Sequence, residues 1–205
     1  MACSKYKSTV QTTHAARVAR LLLDPCTDLF RDILRSHITE MNFPGELSRK
    51  KLSLNPILNK MQRSLLYPNR GSFSGTYNGF DLSLLYVLLR NISGLPAHKK
   101  GWANPPDPKD KSVSANIDRI REARNKYCGH APRVSLSHTE FQNLWRDLTT
   151  IIGELEASLS GGLTTYTDAA NQIRNDTMDP EQEQRYLKRI DEQNQSLEDI
   201  KGSVF

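Results

Sequence analysis

The stretch 137–159, SHTEFQNLWRDLTTIIGELEASL, decides the fold class. It opens with Ser137 and Glu140, three positions apart, in the pattern of a capping box that pairs the first amide groups of a helix. Apolar residues then recur at intervals of three and four, at Phe141, Leu144, Trp145, Leu148, Ile151, Ile152, Leu155 and Leu159. This spacing predicts an amphipathic helix with one buried face, ending at Ser160-Gly161-Gly162.

The chain before this helix repeats the helical pattern, and no segment alternates convincingly as a strand does. Two helices are predicted to begin at Asp24-Pro25 and at Asn55-Pro56, because a capping residue followed by a proline is typical of a first turn. We expect Pro44-Gly45 to break the first of them. The second is expected to bury one apolar stripe, made of Ile57, Leu58, Met61, Leu65 and Leu66.

Two more helices are predicted in the middle of the chain. Asp81 opens DLSLLYVLLRNI, which is apolar nearly all round and is therefore expected at the centre. A helix from Val113 should end near Cys128, because Gly129 and Pro132 follow. One core should unite Leu85, Leu88, Ile117, Ile120, Phe141, Leu144, Leu148 and Ile152. The fold class is all-α, with at least five helices and no sheet.

Two segments have the composition of loops. NRGSFSGTYNGF, residues 69–80, resembles a surface loop, and its glycines lack the lysine of a phosphate-binding loop. Residues 94–111 hold four prolines in eighteen positions, which excludes regular structure. A loop of this length is either functional or a disordered insertion.

Composition favours an intracellular protein. The net charge of +5 permits an anionic partner such as RNA, although a solvated basic surface explains it equally simply. Cys3, Cys26 and Cys128 lie far apart, which fits a reducing compartment. No apolar run reaches the length of a signal peptide or a membrane span, so we expect a cytoplasmic location and no membrane partner.

The chain after Gly162 becomes polar. Asp179-Pro180 starts a last predicted helix. In it, residues spaced alternately by three and four positions form one predicted seam: Leu187, Ile190, Asn194, Leu197 and Lys201. This rhythm fits either a short coiled coil or a solvated helix docked on the main domain. The predicted organisation is therefore a helical lead-in (1–28), a main helical domain (29–160) and a peripheral helical extension (161–205).

The segment 121–132, REARNKYCGHAP, carries the candidate chemistry. If Gly129 adopts a left-handed conformation beyond the helix end, His130 can turn back toward Arg124, with Asn125 beside them. Histidine can transfer a proton near neutral pH, and a guanidinium stabilises charge on phosphate oxygens. This set suits phosphodiester chemistry without a metal.

A plainer interpretation of the same residues stays open. Arg124 could cap helix carbonyls or pair with Glu122 or Asp118, while His130 fills a cap. On spacing alone this structural role is the commoner one. Cys128, His130 and His138 do not have a zinc spacing, so no metal site is predicted. His14, His37 and His98 are expected at the surface or in caps.

Four blocks in order resemble the HEPN subfamily named after the DAZ-interacting zinc-finger ubiquitin ligase. They are FDLSLLYVLLRNISGL, GWANPPDP, IDRIREARNKYCGH and FQNLWRDL. Arg124-Asn125 followed at a distance by His130 also resembles the short HEPN signature. The resemblance covers residues 29–159 and implies an antiparallel helical bundle, frequent dimerisation and, in many relatives, metal-independent endoribonuclease activity. It also implies a setting in larger intracellular proteins of ubiquitin signalling or innate immunity.

The resemblance implies roles for individual residues. His130 would act as acid or base, Arg124 would steady the phosphorane, and Asn125 would position the motif. Two protomers, or this chain and another HEPN-containing partner, would form one composite site without a cofactor. The attacking 2′-hydroxyl restricts the substrate to RNA, so no DNA partner is expected.

The remaining site expectations concern the RNA backbone and the alternative function. Expected backbone contacts are Arg121, Lys126, Lys99 and Lys100. The alternative is a non-catalytic HEPN module for dimerisation or for recruiting RNA or protein. The chain has no ring-type zinc ligands, so it is not expected to be a ligase itself. It is either a fragment of a larger protein or a stand-alone relative.

Overall fold

The computed structural model describes residues 9–68, 73–128, 135–159, 162, 164–179 and 181–189. These ranges contain α-helices and no strand, so the predicted all-α class is confirmed. The helices are α1 (Val10–Leu23), α2 (Pro25–His37), α3 (Phe43–Leu54), α4 (Lys60–Leu66), α5 (Leu82–Asn91), α6 (Val113–Cys128), α7 (His138–Glu156) and α8 (Thr165–Asn175). Residues 181–189 are also helical. None of the described helices combines the length and the apolar character needed to cross a bilayer.

Local capping explains where two of the central helices begin. The backbone N–H of Glu140 donates to Ser137 Oγ at 3.3 Å, and the Ser137 N–H donates to the Glu140 carboxylate at 2.9 Å. At the start of α5, the Leu84 N–H donates to Asp81 Oδ1 at 2.7 Å. Both predicted starts are therefore confirmed, and each rests on contacts within three residues.

The core lies where α1, α2, α5, α6 and α7 meet. α5 packs against α2 and α6, and α1 contacts α2, α6, α7 and α8. Seven of the eight predicted core residues are buried in one cluster, and Leu144 packs against its edge. The predicted core is thus confirmed.

The two ends of the described chain contribute more to this core than their composition indicated. α1, expected as a lead-in, buries Val18, Leu21 and Leu22 completely. α8 places Ala170 and Ile173 in the core, which differs from the peripheral position expected for residues 161–205.

A buried carboxylate fixes the start of α8. Glu156, at the end of α7, accepts hydrogen bonds from the Tyr166 N–H at 2.7 Å and from the Thr167 N–H at 3.2 Å. These two amides belong to the first turn of α8, where no helical partner exists for them. Glu156 therefore caps α8 from another helix and joins it to the bundle.

The helical segment 181–189 lies along α1. Thr13 Oγ1 donates to the Glu183 carboxylate at 3.1 Å, and Tyr186 Oη donates to Asp24 Oδ2 at 2.6 Å. Asp24, predicted to cap α2, makes no capping bond to that helix and binds this segment instead. Leu187 packs against the core, whereas the other predicted seam residues lie outside the described residues.

The region between α2 and α5 departs from the predicted helix boundaries. α2 ends at His37, and Pro44 lies in the first turn of α3 rather than ending a helix. Asn55–Ile57 forms a 3-10 turn, and α4 begins only at Lys60, where Asn59 Oδ1 accepts from the Gln62 N–H at 2.8 Å.

This interruption breaks the apolar stripe predicted for residues 57–66. Leu58 is extended, so the helical period does not run through the segment. Leu58 and Leu66 are buried, whereas Ile57, Met61 and Leu65 are exposed. The prediction of one continuous buried stripe is wrong.

The glycine-rich segment before α5 is held by aromatic side chains. Four rings contact one another in a buried cluster, formed by Phe43, Phe73, Tyr77 and Phe80. Tyr77 Oη donates to the Ile38 carbonyl at 2.9 Å. The described part of the segment, residues 73–80, is therefore anchored to α3 and to the end of α2 by buried rings, which differs from the predicted surface loop.

Candidate functional site

The Arg124 motif lies at the end of α6. Arg124 and Asn125 occupy the last turns of this helix, which ends at Cys128 as predicted. Gly129, His130 and Pro132 lie outside the described residues. The expected convergence of the Arg124 guanidinium and the His130 ring therefore stays a prediction.

Arg124 itself is buried. Only 3% of the residue is exposed, and its Nη1 donates to Asn125 Oδ1 at 3.2 Å. Burial lowers the pKa of the Arg124 guanidinium, and the charge of Asp81 at the start of α5 opposes that shift. This position differs from the solvent-accessible groove that the catalytic interpretation requires.

The neighbouring thiol is also buried. Burial raises the pKa of Cys128 to about 12, although the positive charges of Arg124 and Arg189 act in the opposite direction. The thiol therefore stays protonated near neutral pH and is a poor nucleophile. Arg124 and Arg189 thus act on the same thiol.

A pocket of ≈ 160 Å³ is lined by Asp81 and Arg189, whose charges act on Arg124 and Cys128 respectively. Its walls come from the end of α1, from α2, from the residues just before α5 and its first residue, and from residue 189. They consist of Leu23, Thr27, Arg31, Gly79, Phe80, Asp81, Leu82 and Arg189. Arg31 donates to the carbonyls of Tyr77 at 3.1 Å and Phe80 at 2.8 Å, and Arg189 pairs with Asp24 at 2.8 Å. Both pocket arginines are thus engaged with protein groups.

A buried carboxylate organises the other side of α6. Asp118 has a fully buried side chain and accepts from Tyr86 Oη at 2.9 Å, Arg121 Nε at 2.9 Å and the Ala103 N–H at 3.2 Å. His98 Nε2 lies 3.1 Å from Asp118 Oδ2. Because the Lys100 N–H donates to His98 Nδ1, the proton of a neutral His98 resides on Nε2 and points at Asp118.

This network explains the conformation of residues 94–111. His98 and Ala103 attach that loop to α6, and Arg121 Nη2 reaches the Ala103 carbonyl at 3.2 Å. The segment is thus a fixed loop rather than a disordered insertion. Burial, together with the hydrogen bond to Asp118, raises the pKa of Tyr86 to about 12.

Two histidines expected at the surface are buried instead. His98 belongs to the network, and His14 stacks on Phe141 with ring centroids 4.3 Å apart while its Nδ1 lies 3.1 Å from the Leu136 carbonyl. His37, at the end of α2, is exposed as expected. The partners of His14 and His98 are distant in sequence, so single-residue patterns could not reveal them.

The candidate RNA-contacting residues fall into two groups. Lys99, Lys100 and Lys126 are exposed. Arg121 is held between Asp118 and the Tyr86 ring, with its guanidinium 5.2 Å from the ring centroid. The i,i+3 spacing of Asp118 and Arg121 is a sequence signal for this network, whereas the plainer interpretation of the motif predicts Asp118 as a partner for Arg124.

A sequence model described as DZIP3/hRUL138-like HEPN matches residues 29–186. The chain belongs to this HEPN family. The match continues beyond Leu159 through α8, in agreement with the packing of α8 in the bundle.

Two curated relatives share this HEPN region. The chain is 28% identical over 134 residues to the mouse E3 ubiquitin-protein ligase DZIP3, covering 62% of this chain and 11% of that protein. It is 32% identical over 88 residues to the human E3 ubiquitin-protein ligase DZIP3, covering 43% and 7%. The HEPN chain thus matches a small part of these relatives. No solved structure matches it.

Proposed function

We propose that this chain is a HEPN module that recruits a protein partner within a larger assembly, and that its Arg124 motif serves the fold. The observation that carries this proposal is the burial of Arg124, of which 3% is exposed. A guanidinium must contact phosphate oxygens directly to stabilise a phosphorane. In the described conformation Arg124 is almost completely shielded from solvent, so RNA could contact its guanidinium only after a local opening.

The curated relatives support the setting of this role. They are named as E3 ubiquitin-protein ligases, and the matched region forms 11% and 7% of their lengths. A small helical module within a large ligase suits the recruitment of partners better than the ligation step. We therefore expect the recruiting role to serve ubiquitin signalling.

The second candidate function is a metal-independent endoribonuclease acting as a homodimer or with another HEPN partner. Arg124-Asn125 followed by His130 favours it, since the family signature is intact. Exposed Lys99, Lys100 and Lys126 would hold the RNA backbone. His130 would transfer the proton of the ribose 2′-hydroxyl, and the bundle would have to open around Arg124.

One experiment separates the two functions. The purified chain is incubated with mixed structured and single-stranded RNAs in EDTA, beside His130→Ala and Arg124→Lys. We expect the same background cleavage from all three proteins. If the wild-type protein cleaves RNA and His130→Ala lowers the rate by roughly 10²–10⁴-fold while staying folded, the recruiting role is not the main one.

The midpoint of urea unfolding tests the structural role of Arg124 independently of any catalytic activity. Arg124→Ala should lower the midpoint of urea unfolding if Arg124 is part of the packed interior. Arg146→Ala is the matched control, because Arg146 on α7 has a side chain that is 71% exposed. Equal midpoints for both variants would contradict a structural role for Arg124.

A further inference from the structure

Exposed apolar side chains are concentrated in one short part of the chain. Among the described residues, six large apolar side chains are exposed, and five of them lie between residues 41 and 65. We call these five residues together the α3–α4 surface: Met41 (89% exposed), Leu52 (92%), Ile57 (50%), Met61 (79%) and Leu65 (42%). Single exposed apolar residues are ordinary, whereas a group of them makes this region a candidate binding surface.

This surface belongs to a region that is held in place from its other side. Leu47 and Leu54 of α3, with Leu58 and Leu66 around α4, are buried. Tyr67 Oη donates to the Leu47 carbonyl at 3.2 Å, and Lys51 Nζ lies 5.4 Å from the Tyr67 ring centroid. Tyr67, directly after α4, is therefore held against α3, while Leu52 and Met61 are exposed to solvent.

The same region is strongly basic. Residues 41–66 contain five basic residues (Arg49, Lys50, Lys51, Lys60 and Arg63) and one acidic residue, Glu46, a formal excess of four positive charges. Arg49 pairs with Glu46, and Lys50, Lys51 and Lys60 are exposed. An apolar surface in a stretch of this charge is complementary to an apolar ligand with acidic flanks.

The side-chain chemistry discriminates among possible occupants. A second copy of this surface would bring two positive charge clusters together, which is unfavourable. Leu, Ile and Met have no ring on which an RNA base could stack. The surface also lacks the exposed tryptophan or phenylalanine that commonly anchors a protein in a lipid interface.

We propose that the α3–α4 surface binds an acidic amphipathic helix of a partner protein. The apolar face of that helix, with residues at i, i+3 or i+4 and i+7, covers Leu52, Met61 and their neighbours. Its flanking Asp and Glu side chains pair with Lys50 and Lys60. Unbranched, flexible Met41 and Met61 adapt to the shape of such a ligand. This inference deepens the proposed recruiting role by naming the class of partner, but it uses none of the residues of the Arg124 motif.

The test is a peptide selection on the full chain. A phage library of helical peptides with randomised surface positions is selected on the wild-type protein and counter-selected on Leu52→Asp/Met61→Asp. We expect enriched peptides that are acidic and have apolar residues at helical spacing. Synthetic copies should bind the wild-type protein and lose affinity by roughly tenfold or more with the double variant.

Two further variants give the proposal its controls. Val10→Asp places the same charge on an apolar residue that is 70% exposed on α1 and should leave peptide affinity unchanged. Lys50→Glu/Lys60→Glu should weaken binding and reduce its dependence on salt. Circular dichroism on every variant verifies that the fold is retained.

Three outcomes would overturn the proposal. The first is a selection that yields no peptide dependent on Leu52 and Met61, or only peptides without acidic residues. The second is binding to phosphatidylserine-containing vesicles that Leu52→Asp/Met61→Asp abolishes, with no selected helix. The third is a concentration-dependent dimer, seen by ultracentrifugation, that the same variant dissociates. RNA cleavage by the wild-type protein that is lost in His130→Ala would instead show that recruitment is not the main role of the chain, and it would leave the peptide result unaffected.

Discussion

Replacing Asp118 with alanine should detach the loop 94–111 from α6 and destabilise the whole domain. The Asp118 carboxylate is fully buried and receives hydrogen bonds from Tyr86, His98, Ala103 and Arg121. Alanine removes all four acceptor contacts at once. The backbone of α6 is unaffected by the change, because alanine is a good helix former.

The size of the loss in unfolding free energy depends on which of the four donors can form a hydrogen bond with water instead. Arg121 has a side chain that is 20% exposed, and Ala103 lies in an exposed part of the loop, so both can be resolvated. Tyr86 and His98 are 8% and 4% exposed and would be left with unpaired polar atoms. Each such group costs about 1–3 kcal/mol, giving a loss of about 2–6 kcal/mol. Breaking a buried ion pair by removing one partner falls in the same range, about 3–5 kcal/mol.

The assay is urea unfolding combined with hydrogen exchange. Urea unfolding should show that Asp118→Ala is less stable than the wild-type protein. In this variant the amides of residues 98–104 should exchange faster than in wild type, and this increase should be larger than for the amides of α7. The control is Asp147→Ala, since Asp147 on α7 has a side chain that is 64% exposed and should contribute nothing measurable. A loss below about 1 kcal/mol for Asp118→Ala, or unchanged exchange in the loop, would refute the reasoning, because the network would then be replaceable by water.

The other predictions concern the core, the thiols and a tyrosine. Leu148→Ala should destabilise the domain by about 2–5 kcal/mol in urea unfolding, since Leu148 is 1% exposed, whereas Leu52→Ala should be nearly neutral. Native Cys26 and Cys128 should resist iodoacetamide at neutral pH, because burial raises the pKa of both thiols, and urea should make them reactive; rapid native labelling in mass spectra would contradict this. The pKa of Tyr86 is raised to about 12 in the folded protein, above its usual value of about 10, so the stability that Tyr86 contributes should fall as the pH rises between these values. Unfolding midpoints of wild type and Tyr86→Phe should therefore converge over that pH range, and parallel curves would contradict the prediction.

The parts of the fold that the sequence predicted correctly depend on short-range chemistry. The capping contacts of Ser137 with Glu140 and of Asp81 with Leu84 span three residues, and the buried face of α7 follows from one helical period. The ordered sequence blocks around Arg124 were sufficient to predict the HEPN family, which the match over residues 29–186 confirms. The helical spacing of apolar residues gave a wrong prediction at residues 55–58. There a 3-10 turn and the extended Leu58 interrupt the helix and change which of the following residues are buried.

The sequence by itself determined that this is an all-helical HEPN domain with one apolar core. Helix caps, the helical spacing of apolar residues and the family blocks each depend on residues that lie close together in the sequence. Only the tertiary structure decided the pairing of His98 with Asp118, twenty residues apart, and the capping of α8 by Glu156. It also decided that Arg124 is buried while Leu52 and Met61 are exposed. The physical reason is that the burial of a side chain depends on which helices pack against its face of the helix. That packing is set by contacts between residues that are far apart in the sequence.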